Sequence, residues 1–253
     1  MSEAHYAVEG GVGRLVFDRP AQRNALTFAM YDRLREVCEG MPADGSVHAL
    51  IVSGKGGRAF AAGTDMAQFR GFETAEDAWA YEERIGAVLE AVERCPVPTV
   101  AAITGACTGG GAGIAAACDV RVCDAGLRFG FPIARTLGNC LAASNLARLT
   151  ALMGAGRVRE MILTARLIGA EEAHRIGLVS EVVDDPLARA EELAAVFAGH
   201  APLTMRATKE AMRRLGEAAV DDRDLIAMCY TSEDFREGME AFLAKRKPDW
   251  RGR

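Results

Sequence analysis

Three consecutive glycines, Gly109 to Gly111, lie within the stretch TGACTGGGAGIAAACD at 104–119. The run separates two apolar segments, as the turn between a buried strand and a helix would. Such a turn leaves several backbone N–H groups without partners, and the helix dipole adds partial positive charge at the same place. These groups can bind an anion, or an oxygen on which negative charge develops during a reaction.

A second glycine occupies a comparable place in AFAAGTDM at 59–66, where Gly63 follows a short apolar segment. Asp65 is well placed to cap the turn that follows. Two turns of this kind can direct two N–H groups at one carbonyl oxygen. The pair is therefore typical of a site that stabilises charge on a carbonyl oxygen.

Two other interpretations of the glycine run stay open at this point. Gly109, Gly111 and Gly113 approach the dinucleotide-binding pattern G-x-G-x-x-G of a nicotinamide-dependent dehydrogenase. The last glycine falls one position early, however, and no ribose-binding acid follows at the expected distance. Alternatively, the glycines serve only to let a helix and a strand approach closely, with no ligand involved.

The elements around these turns indicate an α/β architecture, because short buried strands alternate with amphipathic helices. HALIVSG at 48–54 and PTVAAITG at 98–105 are continuous apolar runs typical of strands buried on both faces. Helices are predicted over 28–38, with Thr27 as cap, and over 74–94.

The second half of the chain is predicted to be mainly helical. The predicted helices span 141–153, 156–164, 170–176, 186–199, 204–215 and 233–245. One strand, GLVSEVV at 177–183, interrupts them. The change to nearly all helix divides the chain into a core over 1–195 and a helical region over 196–253.

The charge, the cysteine spacing and the apolar segments of the sequence exclude several classes of protein. The formal net charge of −5 argues against a nucleic-acid or membrane-surface binder, whose affinity comes from a basic face. The seven cysteines include no C-x-x-C pair, so we expect free thiols and no metal site. The N-terminal residues lack the features of a signal peptide, and the long apolar stretch at 98–118 is Gly-rich and predicted to be buried. A cytoplasmic location is expected.

Six segments, taken in order, resemble the blocks of the crotonase superfamily, the enoyl-CoA hydratase/isomerase family. They are RNALT at 23–27, AFAAGTDM at 59–66, ITGACTGGGAGIAAACD at 103–119, FGFP at 129–132, ILTARLIGAEEAHRIGLVSEVV at 162–183 and GMEAFLAKRKPDW at 238–250. Each block alone is a weak signal, but six in the family's order over almost the whole chain are a strong one.

The resemblance implies a crotonase-type spiral of repeated ββα units followed by C-terminal helices. It implies an acyl-CoA substrate with no cofactor beyond that coenzyme A, and a homotrimer or hexamer. The core over 1–195 would then hold the acyl-CoA site. The region over 196–253 would serve assembly and coenzyme A contact.

The resemblance also implies an oxyanion hole for the thioester oxygen, formed by the backbone N–H groups of Thr64 and Gly110. The glycine run would stay bare so that the thioester and pantetheine can lie against it. The further substrate-binding candidates are Asn24, Ala25, Leu26, Ala61, Gly63, Asp65, Gly109, Gly111, Ile133 and Lys245. For three of them a structural role is an open alternative: Asn24 as a turn former, Asp65 as a cap and Lys245 as a solvated helix end.

The sequence departs from the family pattern where hydratases of this family carry two glutamates. Those positions are Gly113 and Ile133 here. Because positioned acid–base groups contribute about 100- to 10,000-fold each, ordinary hydration should be reduced to a trace. The family therefore predicts the fold and the substrate class better than the reaction.

The segment PIARTLGNCLAASNLARL at 132–149 supplies two candidate catalytic residues. Arg135 could orient a substrate carboxylate, or simply pair on the surface. Cys140 is expected to begin a helix, where the dipole would lower its pKa and favour a nucleophilic thiolate, as in a thioester hydrolase or dehalogenase. Cys140 as a core filler, and the whole chain as a non-catalytic acyl-CoA binder, are the alternatives.

Overall fold

The computed structural model describes residues 3–215, 232–234, 237–238, 241, 244 and 246–253. The strands are β1 (Ala4–Glu9), β2 (Val12–Phe17), β3 (Ala49–Gly54), β4 (Ala59–Ala61), β5 (Thr99–Ile103), β6 (Ala106–Thr108), β7 (Val120–Cys123), β8 (Arg128–Gly130), β9 (Ile168–Gly169) and β10 (Glu181–Val182). The helices are α1 (Phe28–Glu39), α2 (Ala75–Arg94), α3 (Gly110–Ala117), α4 (Ile133–Thr136), α5 (Ala143–Met153), α6 (Ala155–Leu163), α7 (Ala170–Arg175), α8 (Pro186–Phe197) and α9 (Pro202–Arg214).

The strands form two sheets. The larger sheet has the order β1-β2-β3-β5-β7-β10, in which β1 and β2 are an antiparallel hairpin and the other neighbours are parallel. The smaller sheet has the order β4-β6-β8-β9, with only β9 antiparallel to its neighbour. The carboxyl ends of β4, β6 and β8 therefore lie along one edge, where parallel sheets commonly bind ligands.

Successive units of the chain alternate between the sheets. Strand β3 joins the larger sheet and β4 the smaller one before α2 follows, and β5, β6 and α3 repeat the pattern. Strands β7 and β8 repeat it again before α4. This is the predicted spiral of ββα units, and the α/β fold class is confirmed.

The main core lies between the sheets and the helices that cover them. Phe17 of the larger sheet and Phe60 of the smaller one meet edge to face, with ring centroids 5.8 Å apart. On the outer face of the larger sheet, Ala190 and Ala194 of α8 pack against Ile51 in a second, smaller cluster. Strands β3 and β5 are consequently buried on both faces, as their unbroken apolar sequence predicts.

Local capping signals account for the starts of the first two helices. The Thr27 hydroxyl accepts a hydrogen bond from the Met30 N–H at the start of α1. Thr74 and Asp77 form a reciprocal capping box at the start of α2. Both helices begin where the sequence predicts.

The later elements agree with the predictions to within two residues at most ends, with two exceptions. The strand predicted over 177–183 is limited to β10, which pairs with only two residues of β7. Most of the helix predicted over 233–245, including Lys245, lies outside the described residues. The predicted division at residue 195 falls inside α8, whose inner face packs on the larger sheet.

The described cysteines are unbonded thiols, as predicted. Five of them are buried and Cys140 is exposed. None of the described helices combines the length and the apolar character needed to span a bilayer.

Asn24 holds together the turn between the hairpin and α1. Its backbone has a φ of 55°, a conformation that asparagine tolerates better than most residues, and its side chain is fully buried. The amide oxygen accepts from the Arg19 N–H at 2.9 Å, and the amide nitrogen donates to the carbonyl oxygens of Lys55 (3.0 Å) and Ala59 (2.8 Å). The side chain thus ties this turn to the end of β3 and to β4.

Replacing Asn24 with Ala is expected to lower the free energy of unfolding by about 3 kcal/mol, because buried carbonyl groups lose their donors. Urea denaturation followed by circular dichroism measures the change. Asn139→Ala, at an exposed position, is the matched control and is expected to stay within about 0.5 kcal/mol of the native protein. Equal losses in the two variants would contradict the structural role of Asn24.

Candidate active site

The two glycine turns meet at the carboxyl edge of the smaller sheet. Gly63 follows β4 and Gly109 follows β6, and the two strands are parallel neighbours. Both glycines have positive φ angles, 103° and 53°. A Cβ atom on Gly109 would lie only 3.3 Å from the Cα of Gly63, so the two turns are in contact.

The backbone around Thr64 is held by the segment that precedes α1. The Leu26 N–H donates to the Gly63 carbonyl at 2.8 Å, and the Asp65 N–H donates to the Leu26 carbonyl at 2.9 Å. These bonds bracket Thr64 and leave its own N–H without an acceptor among the described residues. The turn is therefore fixed by its neighbours while the Thr64 amide hydrogen remains available.

Gly110 is the first residue of α3, and Gly109 before it provides no side-chain cap. The Gly110 N–H has no acceptor in the part of the chain that the structure describes. The helix dipole places partial positive charge at this end. Two free amides, from Thr64 and Gly110, thus come from adjoining turns.

A chain of hydroxyl groups runs behind these amides. The Tyr31 and Thr64 hydroxyl oxygens lie 2.8 Å apart, and the Thr64 and Tyr81 hydroxyl oxygens are also 2.8 Å apart. Burial raises the pKa of both tyrosines, so their hydroxyl groups stay protonated. Because the Thr64 hydroxyl is shared between two tyrosines, its side chain is fixed in one orientation.

Close packing explains two glycines of the run. A Cβ on Gly110 would overlap the Tyr31 hydroxyl oxygen, and a Cβ on Gly111 would overlap the Ala61 carbonyl oxygen and lie 2.7 Å from its Cβ. Close packing, which the sequence leaves open as an alternative to a bare surface for a ligand, is thus a sufficient reason for glycine at Gly110 and Gly111. Protein atoms already occupy the space of the missing side chains.

Helix α3 is anchored at its other end by Arg121. The buried guanidinium donates to the carbonyl oxygens of Cys118, Ala115 (3.4 Å) and Leu178 (2.7 Å). A cation suits the C-terminal end of a helix, although burial lowers the pKa of this arginine. These bonds fix the axis of α3 and with it the direction of the Gly110 N–H.

A cavity of about 150 Å³ opens in front of the two amides. Gly63, Thr64, Gly109 and Gly110 line one side of it. The apolar part of its lining comes from Phe69, Ile85, Phe131, Ile133 and Leu141. This combination of an apolar wall and a few polar groups is typical of a small-molecule site.

The polar side chains of the cavity include one carboxylate, that of Glu82, among the lining residues that the structure describes. Glu82 lies on α2 and accepts a hydrogen bond from the Ala142 N–H at 3.3 Å. Burial raises its pKa, and this hydrogen bond lowers it by a smaller amount. No described lysine or arginine forms an ion pair with it.

Asn145 supplies a neutral polar group on the same wall. Its Oδ1 accepts a hydrogen bond from Arg148 at 3.0 Å, and Arg148 in turn forms a double hydrogen bond with Glu93 at 2.6 and 2.7 Å. The arginine and glutamate thereby neutralise each other and fix the amide of Asn145. Its Nδ2 has no acceptor among the described residues.

Comparisons with known proteins identify the family of this chain. The family model for enoyl-CoA hydratase/isomerase matches residues 7–253. The chain belongs to the enoyl-CoA hydratase/isomerase family. It is therefore an enzyme of the family's lyase and isomerase class that acts on acyl-CoA.

Individual members of the family match along nearly their full length. The chain is 35% identical over 260 residues to the 2,3-dehydroadipyl-CoA hydratase of Escherichia coli (strain K12), covering 100% of both proteins. It is 31% identical over 245 residues to the crotonyl-CoA hydratase of Syntrophomonas wolfei, covering 93% of each. The crystal structure of an enoyl-CoA hydratase/carnithine racemase from Magnetospirillum magneticum matches with a TM-score of 0.92 and 34% identity, covering 100% of this chain and 97% of that one.

The site residues predicted from the family resemblance fall into two groups. Those that line the cavity are Gly63, Thr64, Gly109, Gly110 and Ile133. Those that lie behind it are Asn24, Ala25, Leu26, Ala61, Asp65 and Gly111, which hold the turns in place. Lys245 lies outside the described residues.

Asp65 acts as a cap, as its sequence position allows. Its carboxylate accepts from the Ala67 N–H at 2.9 Å and pairs with Arg19 at 2.7 Å. These two contacts lower the pKa of Asp65, the backbone hydrogen bond most. The carboxylate is thus engaged away from the cavity.

The two candidate catalytic residues after FGFP do not line the cavity. Arg135 is exposed on the short helix α4. Cys140 is also exposed, and the expectation that it begins a helix is wrong, since α5 starts at Ala143 with Ala142 before it. Without a helix N-terminus at Cys140, the reason for a reactive thiolate there is lost.

The sequence analysis did not predict that Glu82 and Asn145 line the cavity. For Glu82, the sequence does contain a relevant pattern. Its spacing to Ile85 and Leu89 puts it on the apolar face of α2, since residues three and seven positions apart share one side of a helix. A glutamate in such a register is buried at some cost and merits attention. Glu83, the next residue, is exposed.

Gly111→Ala is expected to lower the free energy of unfolding by about 2 kcal/mol, because the new methyl group meets the backbone of β4. Gly113→Ala in the same helix is the matched control. A Cβ on Gly113 would lie 3.4 Å from Leu89, an ordinary contact, and alanine favours the helix by about 1 kcal/mol. Urea denaturation measures both changes, and a stable Gly111→Ala variant would contradict this account of the glycine run.

Proposed function

We propose that this enzyme polarises the thioester carbonyl of an acyl-CoA between the N–H groups of Thr64 and Gly110. The observation that carries the proposal is that these two amides lack acceptors among the described residues and line one cavity. They belong to separate turns that contact each other, so this contact restrains their relative position. Two donors held in this way suit an oxygen that becomes negatively charged.

The surroundings of the two amides strengthen their effect. The apolar wall lowers the local dielectric, and fixed dipoles need no reorganisation when charge develops. The Thr64 hydroxyl is engaged by Tyr31 and Tyr81, so the backbone of Thr64 provides the donor. Removing one donor of this kind typically lowers the rate by about 100- to 1,000-fold.

The reaction that follows polarisation differs from ordinary hydration. The positions at which the family resemblance implies two water-holding glutamates are Gly113 and Ile133, and both line the cavity. Neither can hold or protonate a water molecule. We therefore infer chemistry through an enolate of the thioester, with addition of water as a minor activity.

Coenzyme A contact through Lys245 and assembly into a homotrimer or hexamer stay predictions from the family resemblance. The segment 23–26, predicted to contact the coenzyme A arm, supports the Thr64 turn through the bonds described above. A role of the same segment at the cavity mouth is compatible with those bonds, since Ala25 is partly exposed.

The carbonyl stretch of a bound, isotope-labelled butyryl-CoA tests the two-amide proposal by infrared difference spectroscopy. We expect a lower frequency than in solution, because two hydrogen bonds weaken the C=O bond. Thr64→Val keeps the amide and loses the hydroxyl, so the shift should persist in this control. Calorimetrically verified binding with an unshifted carbonyl frequency would refute the proposal.

Hydration of crotonyl-CoA tests the inference about Gly113 and Ile133. We expect kcat to be lower by about 100-fold or more than that of the Syntrophomonas wolfei crotonyl-CoA hydratase assayed alongside, because two acid–base groups are replaced. Loss of absorbance of the conjugated thioester measures the rate. A rate comparable to that of the relative would show that the two positions are not needed for hydration.

A further inference from the structure

We propose that Glu82 is the acid–base residue of this site and transfers a proton to and from the acyl carbon next to the thioester. The proposal rests on the proposed function, because the electron pair left by the proton needs the Thr64 and Gly110 amides. It adds the group that the substitutions at Gly113 and Ile133 leave missing. The residue comes from α2, an element that contains neither of those positions.

The geometry of Glu82 fits this role. Its carboxylate lines the same cavity as the two amides, and its Oε2 accepts from the Ala142 N–H at 3.3 Å. The other oxygen accepts no hydrogen bond from the described residues, so it is free to take a proton. Tyr81, its neighbour in the chain, touches the Thr64 hydroxyl at 2.8 Å. Glu82 is therefore the next residue in the chain after one that contacts the turn at Thr64.

The position of Glu82 is firmly held. Helix α2 begins with a full capping box at Thr74, and it packs along α1 and α3. The Ala142 N–H that orients the carboxylate belongs to the residue directly before α5. A proton-transfer group on rigid elements keeps its geometry better than one on a loop.

The electrostatic surroundings favour a proton carrier over a structural ion. Glu82 has no cationic partner in the described part of the chain, unlike Glu93, which Arg148 neutralises. Burial raises the pKa of Glu82 above its ordinary value, the direction that favours proton transfer by a carboxyl group. Tyr31 and Tyr81 face it as neutral phenols.

The other titratable candidates fit less well. Arg135 and Cys140 are exposed and do not line the cavity. The raised pKa of Tyr81 makes its phenolate inaccessible as a base. Asp65 is engaged by Arg19 and by the Ala67 N–H.

The proposed step balances without a co-reactant. A C–H bond breaks at the carbon next to the thioester carbonyl, and the proton passes to the free oxygen of Glu82. The electron pair forms a carbon–carbon double bond while the carbonyl pair moves onto the thioester oxygen, where the two amides stabilise it. Return of the proton to the same carbon, or to a conjugated one, reverses or completes the reaction.

Exchange of the acyl-chain hydrogens in deuterium oxide tests the proposal, with butyryl-CoA, hexanoyl-CoA and decanoyl-CoA as probes and mass spectrometry as readout. The wild-type enzyme is expected to exchange the hydrogens next to the thioester in at least one probe. Glu82→Gln is expected to slow this exchange by about 100-fold or more while changing the binding constant by less than about threefold. Glu83→Gln, at the exposed neighbour, is the matched control and should exchange at the wild-type rate.

Three further measurements separate the possible outcomes. Glu82→Asp keeps a carboxylate and is expected to retain more exchange than Glu82→Gln, and thermal unfolding verifies that all variants are folded. The infrared shift of bound butyryl-CoA should persist in Glu82→Gln, since the amides are untouched. Wild-type exchange in Glu82→Gln, or no exchange of any probe by the wild-type enzyme, would overturn the role of Glu82. An unshifted carbonyl in the wild type would instead overturn the two-amide proposal.

Discussion

The contact between the turn at Gly63 and the turn at Gly109 is the constraint on which the rest of the site depends. The two turns approach to the point where a single methyl group on Gly109 would press on the Cα of Gly63. Their strands, β4 and β6, are parallel neighbours, so the turns emerge at the same edge. Asn24 fixes β4 and Arg121 fixes the end of α3. Both residues therefore help to fix the distance between the Thr64 and Gly110 amides.

Much of the fold could be predicted from the sequence, because strong local signals agree with the final structure. The apolar runs of β3 and β5, the caps at Thr27 and Thr74 and the glycine turns all act over a few residues. The start of β10 was less predictable, since its pairing with β7 is limited to two residues. The start of α5 was also predicted too early, since no capping side chain marks it.

The candidate site was predictable in its backbone and less so in its side chains. The family resemblance led to Thr64 and Gly110, whose proposed role depends on the chain conformation at two glycine turns. It did not lead to Glu82, because the cavity position of that carboxylate arises from the packing of α2 against the segment before α5. The helix register separates half-buried Glu82 from exposed Glu83, but it does not show that the Glu82 carboxylate lines a cavity.

The hydroxyl contacts at Thr64 link the site mechanically to two helices. Tyr31 belongs to α1 and Tyr81 to α2, and the hydroxyl groups of both form hydrogen bonds with the Thr64 hydroxyl oxygen. An outward swing of α2 that widened the acyl cavity would pull on this oxygen or break its contact with Tyr81. Any widening of the cavity by a movement of α2 would therefore cost at least the hydrogen bond between Thr64 and Tyr81.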